Sequence, residues 1–377
     1  MKRLILIFVS LLLFNCSFDN KTGIWKDAAN IPVEVSTTNT INNQNVSSRF
    51  ENVFLDKQVF NEEKKLTKNF NFRIEEALEN TNWPQEHASN TNNVSNIRYN
   101  DNKLLISKSP KLSKTSGEKY SLIKNTILYD EKIISYDHKG TIFVYSLENR
   151  EKVLEFNFYK KAFKKYDKKI FLIVNKNQIY AADNLGYVYA IDINTEALIW
   201  AKNYGIPFRS NIKLFGSQIF LANQENIVYS INTVNGEKNW QLSSSVTFLN
   251  SQFKNSLVLD NTNNNLIFMN TSGELYSLNF ANQNINWVLN FKNYALKGET
   301  DLFMSQPLAI KDSDLFVSTE NSLLSYNLLT GSRNWIKNLA PVLKPVITKN
   351  NVFTFTKNNL LICADRKTGE ILWSKNI

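Results

Sequence analysis

Cysteine and histidine are almost missing from this chain of 377 residues, which holds only Cys16, Cys363, His87 and His138. Two cysteines exclude a disulfide scaffold and any Cys-rich zinc or iron–sulfur site. The two histidines stand far apart with no HExxH between them, so a His-based metal centre would need carboxylates gathered from distant positions. No GxSxG, P-loop, GxGxxG or CxxC occurs, which removes the common nucleophile, nucleotide and redox signatures. Glycine (11) and proline (7) are too few for collagen or a mucin stalk, while 43% hydrophobic residues are too many for a disordered chain. Long hydrophobic runs are also lacking. The longest, Leu4 to Phe14, is broken only by Ser10 and is too short to span a bilayer.

Positive charge is in excess, with 44 Lys and Arg against 34 Asp and Glu. The 55 asparagines point to a compositional bias toward Asn and Lys rather than to a nucleic-acid surface. The densest run is Lys160, Lys161, Lys164, Lys165, Lys168 and Lys169, interleaved with Phe163 and Tyr166. It reads as a solvated loop between repeats, with an acidic partner or a phospholipid head-group surface as the functional alternative.

Lys2 and Arg3 before the short apolar run have the proportions of a secretory signal. Leu13-Phe14-Asn15-Cys16 at its end resembles a bacterial lipobox, although Asn15 stands where Gly, Ala or Ser is usual. That resemblance implies a signal peptide over 1–15 and a lipidated Cys16 as the first mature residue; several acyl chains suffice to hold a protein on a membrane. Residues 16–82 read as a polar tether, with a short helix expected within Phe50 to Ala77.

From Trp83 to the end, 83–377, the chain repeats itself. Five segments align without gaps on a final Trp: VYAIDINTEALIW (188–200), VYSINTVNGEKNW (228–240), LYSLNFANQNINW (275–287), LLSYNLLTGSRNW (323–335) and LICADRKTGEILW (361–373). Eight residues before each Trp stands Asp192, Asn232, Asn279, Asn327 or Asp365, and Gly236, Gly331 and Gly369 recur four before it. Asp and Asn start turns through their own side chains and Gly supplies positive φ, so each segment is a strand, a tight turn and a strand ending in Trp. Fourteen before each Trp stand Gly186, Asn226, Gly273, Asn321 and Asn359, the residue types that best tolerate left-handed backbone, so a second turn belongs there. Further apolar runs upstream make each repeat four short antiparallel strands. A degraded copy occupies Ile123 to Phe156, with Leu154 in the Trp column, though alternation alone would allow Phe156. The Trp residues are spaced by 40, 47, 48 and 38, the period of propeller blades. Sheets of this kind bury both faces only against like sheets, so the blades pack radially. The fold expected is an all-β propeller with six recognisable blades and a partial one, for which residues 94–122, including Leu104-Leu105-Ile106, supply a candidate strand. Trp200, Trp240, Trp287, Trp335 and Trp373, at a constant register, are expected to pack blade on blade.

The Asp/Asn-x-x-x-Gly-x-x-x-Trp ending resembles the PQQ-like repeat of quinoprotein dehydrogenases and of BamB-type outer-membrane lipoproteins. Trp83-Pro84-Gln85 is similar to the segment that opens the propeller in the BamB-type group, and the lipobox and tether fit that group's layout. The resemblance implies a propeller usually of eight blades and a non-enzymatic, lipid-anchored protein on the periplasmic face of the outer membrane. It also implies binding to the central subunit of the β-barrel assembly machinery, and support for unfolded outer-membrane chains. No cofactor, metal or nucleic acid is implied. The adjacent Cys pair found in much of the quinoprotein group is missing, and Cys363 reads as a small core residue. The alternative is a degenerate quinoprotein-like enzyme or small-molecule receptor using the central channel.

Ile206, Phe208 and Arg209, within Tyr204 to Ser210, look like the apolar-x-apolar-Arg segment with which BamB-type proteins contact the barrel subunit, with Phe at a usually aliphatic position. Two arrangements fit. Either this loop stands on the rim and Arg209 between two large apolar groups is an interface contact, or Ile206 and Phe208 begin an inner strand and point into the blade.

Overall fold

The computed structural model describes residues 17–18, 25–26, 58–66, 74–99, 126–160, 163, 165–244, 254–291 and 303–377. Cys16 and the candidate strand residues 100–122 lie outside them. The chain divides into two compact units, Met1–Asp56 and Lys57–Ile377. In the first, Ser17–Phe18 pairs antiparallel with Trp25–Lys26.

Among its described residues the second unit holds six four-stranded antiparallel sheets, each a simple meander in chain order. Blade 1 spans Ile127 to Asn157, blade 2 Ile170 to Asn203, blade 3 Lys213 to Ser243, blade 4 Ser256 to Asn290, blade 5 Ala309 to Lys337 and blade 6 Val346 to Asn376. The inner three strands are buried on both faces, and the fourth alternates with solvent, as in Lys238–Ser243 and Ile285–Asn290. Alternation then divides each strand between its two neighbours. In blade 4, Leu257 and Leu259 face a cluster shared with blade 3, whereas Val258 faces one shared with blade 5. Such clusters join blades 1 to 2, 2 to 3, 3 to 4, 4 to 5 and 5 to 6. Each fully buried Leu, Ile, Val or Phe contributes about 1.5–3 kcal/mol.

The repeat turns follow the expected chemistry. Asp192 Oδ1 accepts the N–H groups of Asn194 and Thr195, and Asn327 and Asp365 make the same pair of bonds in blades 5 and 6. The position four before Trp has positive φ in all six blades, by glycine in three and by Arg150 (φ 57), Glu196 (φ 56) and Gln283 (φ 64) in the others. A register shift precedes the Trp column in every blade, and in blade 1 it falls between Val144 and Tyr145, opposite Leu154. Leu154, not Phe156, is the equivalent of Trp.

Three expectations change. Asn321 does not adopt positive φ, because the blade 5 hairpin from Ser318 to Leu323 is one residue shorter than that from Ala222 to Val228 in blade 3. Lys168 of the lysine run is buried, its ammonium donating to the Phe163 carbonyl and lying 5.0 Å from the centre of the Tyr159 ring. Residues 58–66, within the stretch expected to hold a short helix, run extended along the last blade. Phe60 packs on the blade 5–6 core, and Ser374 N–H donates to the Lys64 carbonyl at 3.0 Å.

Candidate functional site

The axis of the propeller is occupied by the chain itself. Residues 83–93 meet the first, axis-lining strand region of each blade in turn. Trp83 exchanges main-chain bonds with Leu128 of blade 1, and the Pro84 carbonyl accepts from Val174 of blade 2. Asn90 Nδ2 donates to the Leu214 carbonyl of blade 3, while the Asn90 carbonyl accepts from Leu259 of blade 4. The Thr91 carbonyl accepts from Ile310 of blade 5, and the Asn93 amide both gives to and takes from Ile347 of blade 6. An inner strand edge otherwise presents unpaired N–H and C=O groups. This plug satisfies them and bridges blade 6 to blade 1.

At its centre lies Lys213, 0% exposed. Its ammonium donates to Asn92 Oδ1 at 2.6 Å, to the Ser89 carbonyl at 2.8 Å and to Gln85 Oε1 at 3.1 Å, so each of its three protons has an acceptor. Burial, helped by Lys344 and opposed by Glu86, lowers its pKa to about 7. Asn92 is buried as well and passes its two amide protons to the Leu257 and Leu308 carbonyls.

One end of the plug shapes a mouth. His87 and Ala88 are consecutive non-glycine residues with φ of 65 and 67. Glu86, His87 and Asn211 form a shared wall between two cavities. One, about 190 Å³, continues over Lys254, Phe303 and Met304; the other, about 210 Å³, reaches Trp83, Ile127 and Phe171. Burial drives the His87 pKa down to about 4, with Lys344, Lys213 and Lys254 pushing the same way against Glu86. Lys254 pairs with Glu86 at 3.0 Å. Among the described residues no three His, Cys, Asp or Glu side chains are grouped to hold a metal ion.

In a four-stranded meander the links between blades and the turns between second and third strands share one rim. Residues 204–210 lie there between blades 2 and 3. Tyr204 N–H donates to the Gly186 carbonyl, Phe208 N–H to that of Asp183, and Gln224 N–H to that of Pro207. Gly186 has to be glycine here, since a Cβ would stand 2.9 Å from the Ile206 nitrogen at φ +90. Phe208 is 0% exposed in the blade 2–3 core, whereas Ile206 and Arg209 are half-buried. Arg209 donates weakly to the Phe208 carbonyl at 3.3 Å, and its Nε is buried with no partner among the described residues. The segment thus divides: Phe208 points inward, and its two neighbours stay at the rim.

Four of the five register Trp residues lie toward the following blade; Trp373, in the last blade, does not pack blade on blade as expected among the described residues. Trp200, Trp287 and Trp335 donate their indole N–H to the carbonyls of Thr233, Leu328 and Arg366, each three residues before the turn glycine of the next blade. A Cβ at Gly369 would stand 2.6 Å from the Trp335 ring. Trp240 packs on Phe220 within the blade 3–4 core, and Trp373 lies against Phe353 beside residues 63–66. Two arrangements were missed in the sequence. A second column of turn acceptors, Asp137, Asp183, Asn223, Asn270, Thr319 and Thr356, caps the upstream hairpins through side-chain oxygens. Asp312 and Asp314 flank Arg366 of blade 6 at 2.7 and 3.2 Å.

Comparison with known proteins bears on the same repeats. A curated relative, an outer membrane protein assembly factor BamB from Yersinia pestis, is 25% identical over 226 residues. The match covers 53% of this chain, which thereby spans about half (54%) of that relative's length. The crystal structure of BamB from Moraxella catarrhalis superposes with a TM-score of 0.55 at 15% identity, covering 68% of this chain and 79% of that one. A computationally designed protein, Ika8, gives 0.51 at 13% identity, covering 66% and 72%. These likenesses show the fold. The family described as outer membrane protein assembly factor BamB matches residues 138–375, more than half of the sequence, and the chain belongs to that family.

Proposed function

We propose that this protein is a non-enzymatic scaffold in the assembly of outer-membrane β-barrel proteins. It is held by acyl chains on Cys16 at the periplasmic face of the outer membrane and binds the central barrel-forming subunit. The family match over blades 1 to 6 carries this reading. The docking contact proposed is the rim at Ile206 and Arg209, with Phe208 beneath fixing the loop. Its support is the half-buried guanidinium, whose Nε lacks a partner among the described residues and which has apolar neighbours, the composition of an interface hot spot. Unfolded outer-membrane chains would be held by strand addition along exposed blade edges, as residues 62–64 lie along the last blade in cis.

The quinoprotein-like alternative needs the central channel for a cofactor. Residues 83–93 fill the axis and bond to every blade, which weighs against that reading.

Purification of the full chain from outer membranes tests the proposal. Co-purification of a barrel-assembly protein is expected; its absence together with quinone absorbance would favour the alternative. Fatty-acid labelling of wild type but not of Cys16→Ser is expected, and equal labelling of both would remove the lipid anchor.

A further inference from the structure

The mouth of the plugged axis combines features that neither blade packing nor docking at the Arg209 rim requires. Three lysines gather around one carboxylate: Lys254 lines the cavity and pairs with Glu86, while Lys213 and Lys344 act on His87 through space. With Lys213 only part-charged near pH 7, the lysine charge still exceeds that of the single Glu86 carboxylate. His87, its pKa depressed to about 4, adds no charge at neutral pH but offers a neutral imidazole at the wall. The same cavity carries apolar wall from Phe303, Met304 and Pro307. Met304 is 54% exposed at its edge. The wall itself is strained, since His87 and Ala88 hold left-handed backbone without glycine. Such strain persists only where surrounding bonds over-determine it, and it collects at ligand sites. Here the plug's bonds on either side impose it.

We propose that the cavity between Glu86–His87 and Phe303–Met304 binds a carboxylate carried on an apolar group, with Lys254 as its charge partner and the Phe303–Met304 wall as the seat of the apolar part. A volume of about 190 Å³ suits one branched aliphatic residue rather than a cofactor ring system. Two sources share this chemistry: a small free acid, or the last residue of a polypeptide with its terminal carboxylate. An ammonium and an apolar wall in one cavity distinguish such a ligand from a neutral amide, which would leave the lysine charge unanswered. The inference does not depend on the assembly role.

Calorimetric titration of the full chain with N-acetyl-leucine and with N-acetyl-leucinamide tests it. Saturable binding of the acid, at least tenfold tighter than that of the amide, is expected. Lys254→Gln should weaken the acid at least tenfold, and Met304→Asp, at an exposed wall position, should do the same by placing a rival carboxylate in the seat. Equal binding of acid and amide, no binding of either, or wild-type affinity in both variants would overturn the proposal. A hexapeptide ending in leucine assigns the source: tighter binding than the free acid points to a chain terminus, and equal affinity to a small acid.

Discussion

Asn92 Oδ1 accepts a proton from the Lys213 ammonium at 2.6 Å at the centre of the propeller, so a residue upstream of the first blade is bonded to the inner strand of the third. Asn92 gives its own amide protons to blades 4 and 5. One side chain thus ties three blades together, where sheet pairing alone joins strands only within a blade.

Asn92→Ala should therefore destabilise the whole ring rather than loosen one blade. Leaving a buried polar group unpaired costs roughly 1–3 kcal/mol, and this change strands the Leu257 and Leu308 carbonyls and one proton of Lys213. A fall in urea midpoint with one cooperative transition is expected. An unchanged midpoint would mean that water replaces the amide without cost.

Stability should rise with pH above neutrality because of Lys213. Its folded pKa of about 7 lies below the ordinary 10.5, so between those values the unfolded chain holds the extra proton and loses its advantage as pH climbs. Below pH 7 both states are protonated and this contribution is flat. Buried Tyr159 and Tyr189, whose pKa values are raised, act in the opposite sense above about pH 10. Urea midpoints should increase from pH 7 to 9.5 for wild type and increase less for Lys213→Met, in which Lys168 and Lys344, also lowered by burial, still act in the same sense; a level wild type would contradict the assignment.

Trp335→Ala should cost about 3–5 kcal/mol, as for other buried aromatic truncations. It removes both the stack under Gly369 and the N–H bond to the Arg366 carbonyl. Thermal unfolding measures it. Full stability with lost partner binding would instead make Trp335 a ligand contact.

The blades were legible because their signals are local. An Asx turn eight residues before a Trp requires only its own hairpin, and even Leu154 of the degraded copy is reachable from Gly140, fourteen residues before it in the other turn column. Local tolerance of left-handed backbone misleads at Asn321, where one deleted residue changes the hairpin. The plug was scarcely legible. Residues 83–93 have no period of two, and their partners lie up to 254 residues away, as for Asn93 and Ile347. The burial of Lys168 and the pairing of Asp312 with Arg366 were hidden for the same reason: charge in a loop looks solvated until the neighbouring blade is in place. At the rim, alternation within Ile206 to Arg209 could not decide which side chain points inward; packing against Gly186 and the blade 2–3 core decides for Phe208.

The affinity of Arg209→Ala for the barrel-assembly subunit tests the proposed docking at this rim most directly. Truncation removes a 3.3 Å bond and an unpartnered Nε, so stability should change by less than about 1 kcal/mol. Loss of a hot-spot contact should weaken binding by about 2 kcal/mol or more, roughly thirtyfold. A variant that keeps its melting temperature and loses the subunit is the result expected; one that keeps both its melting temperature and wild-type affinity would contradict the account.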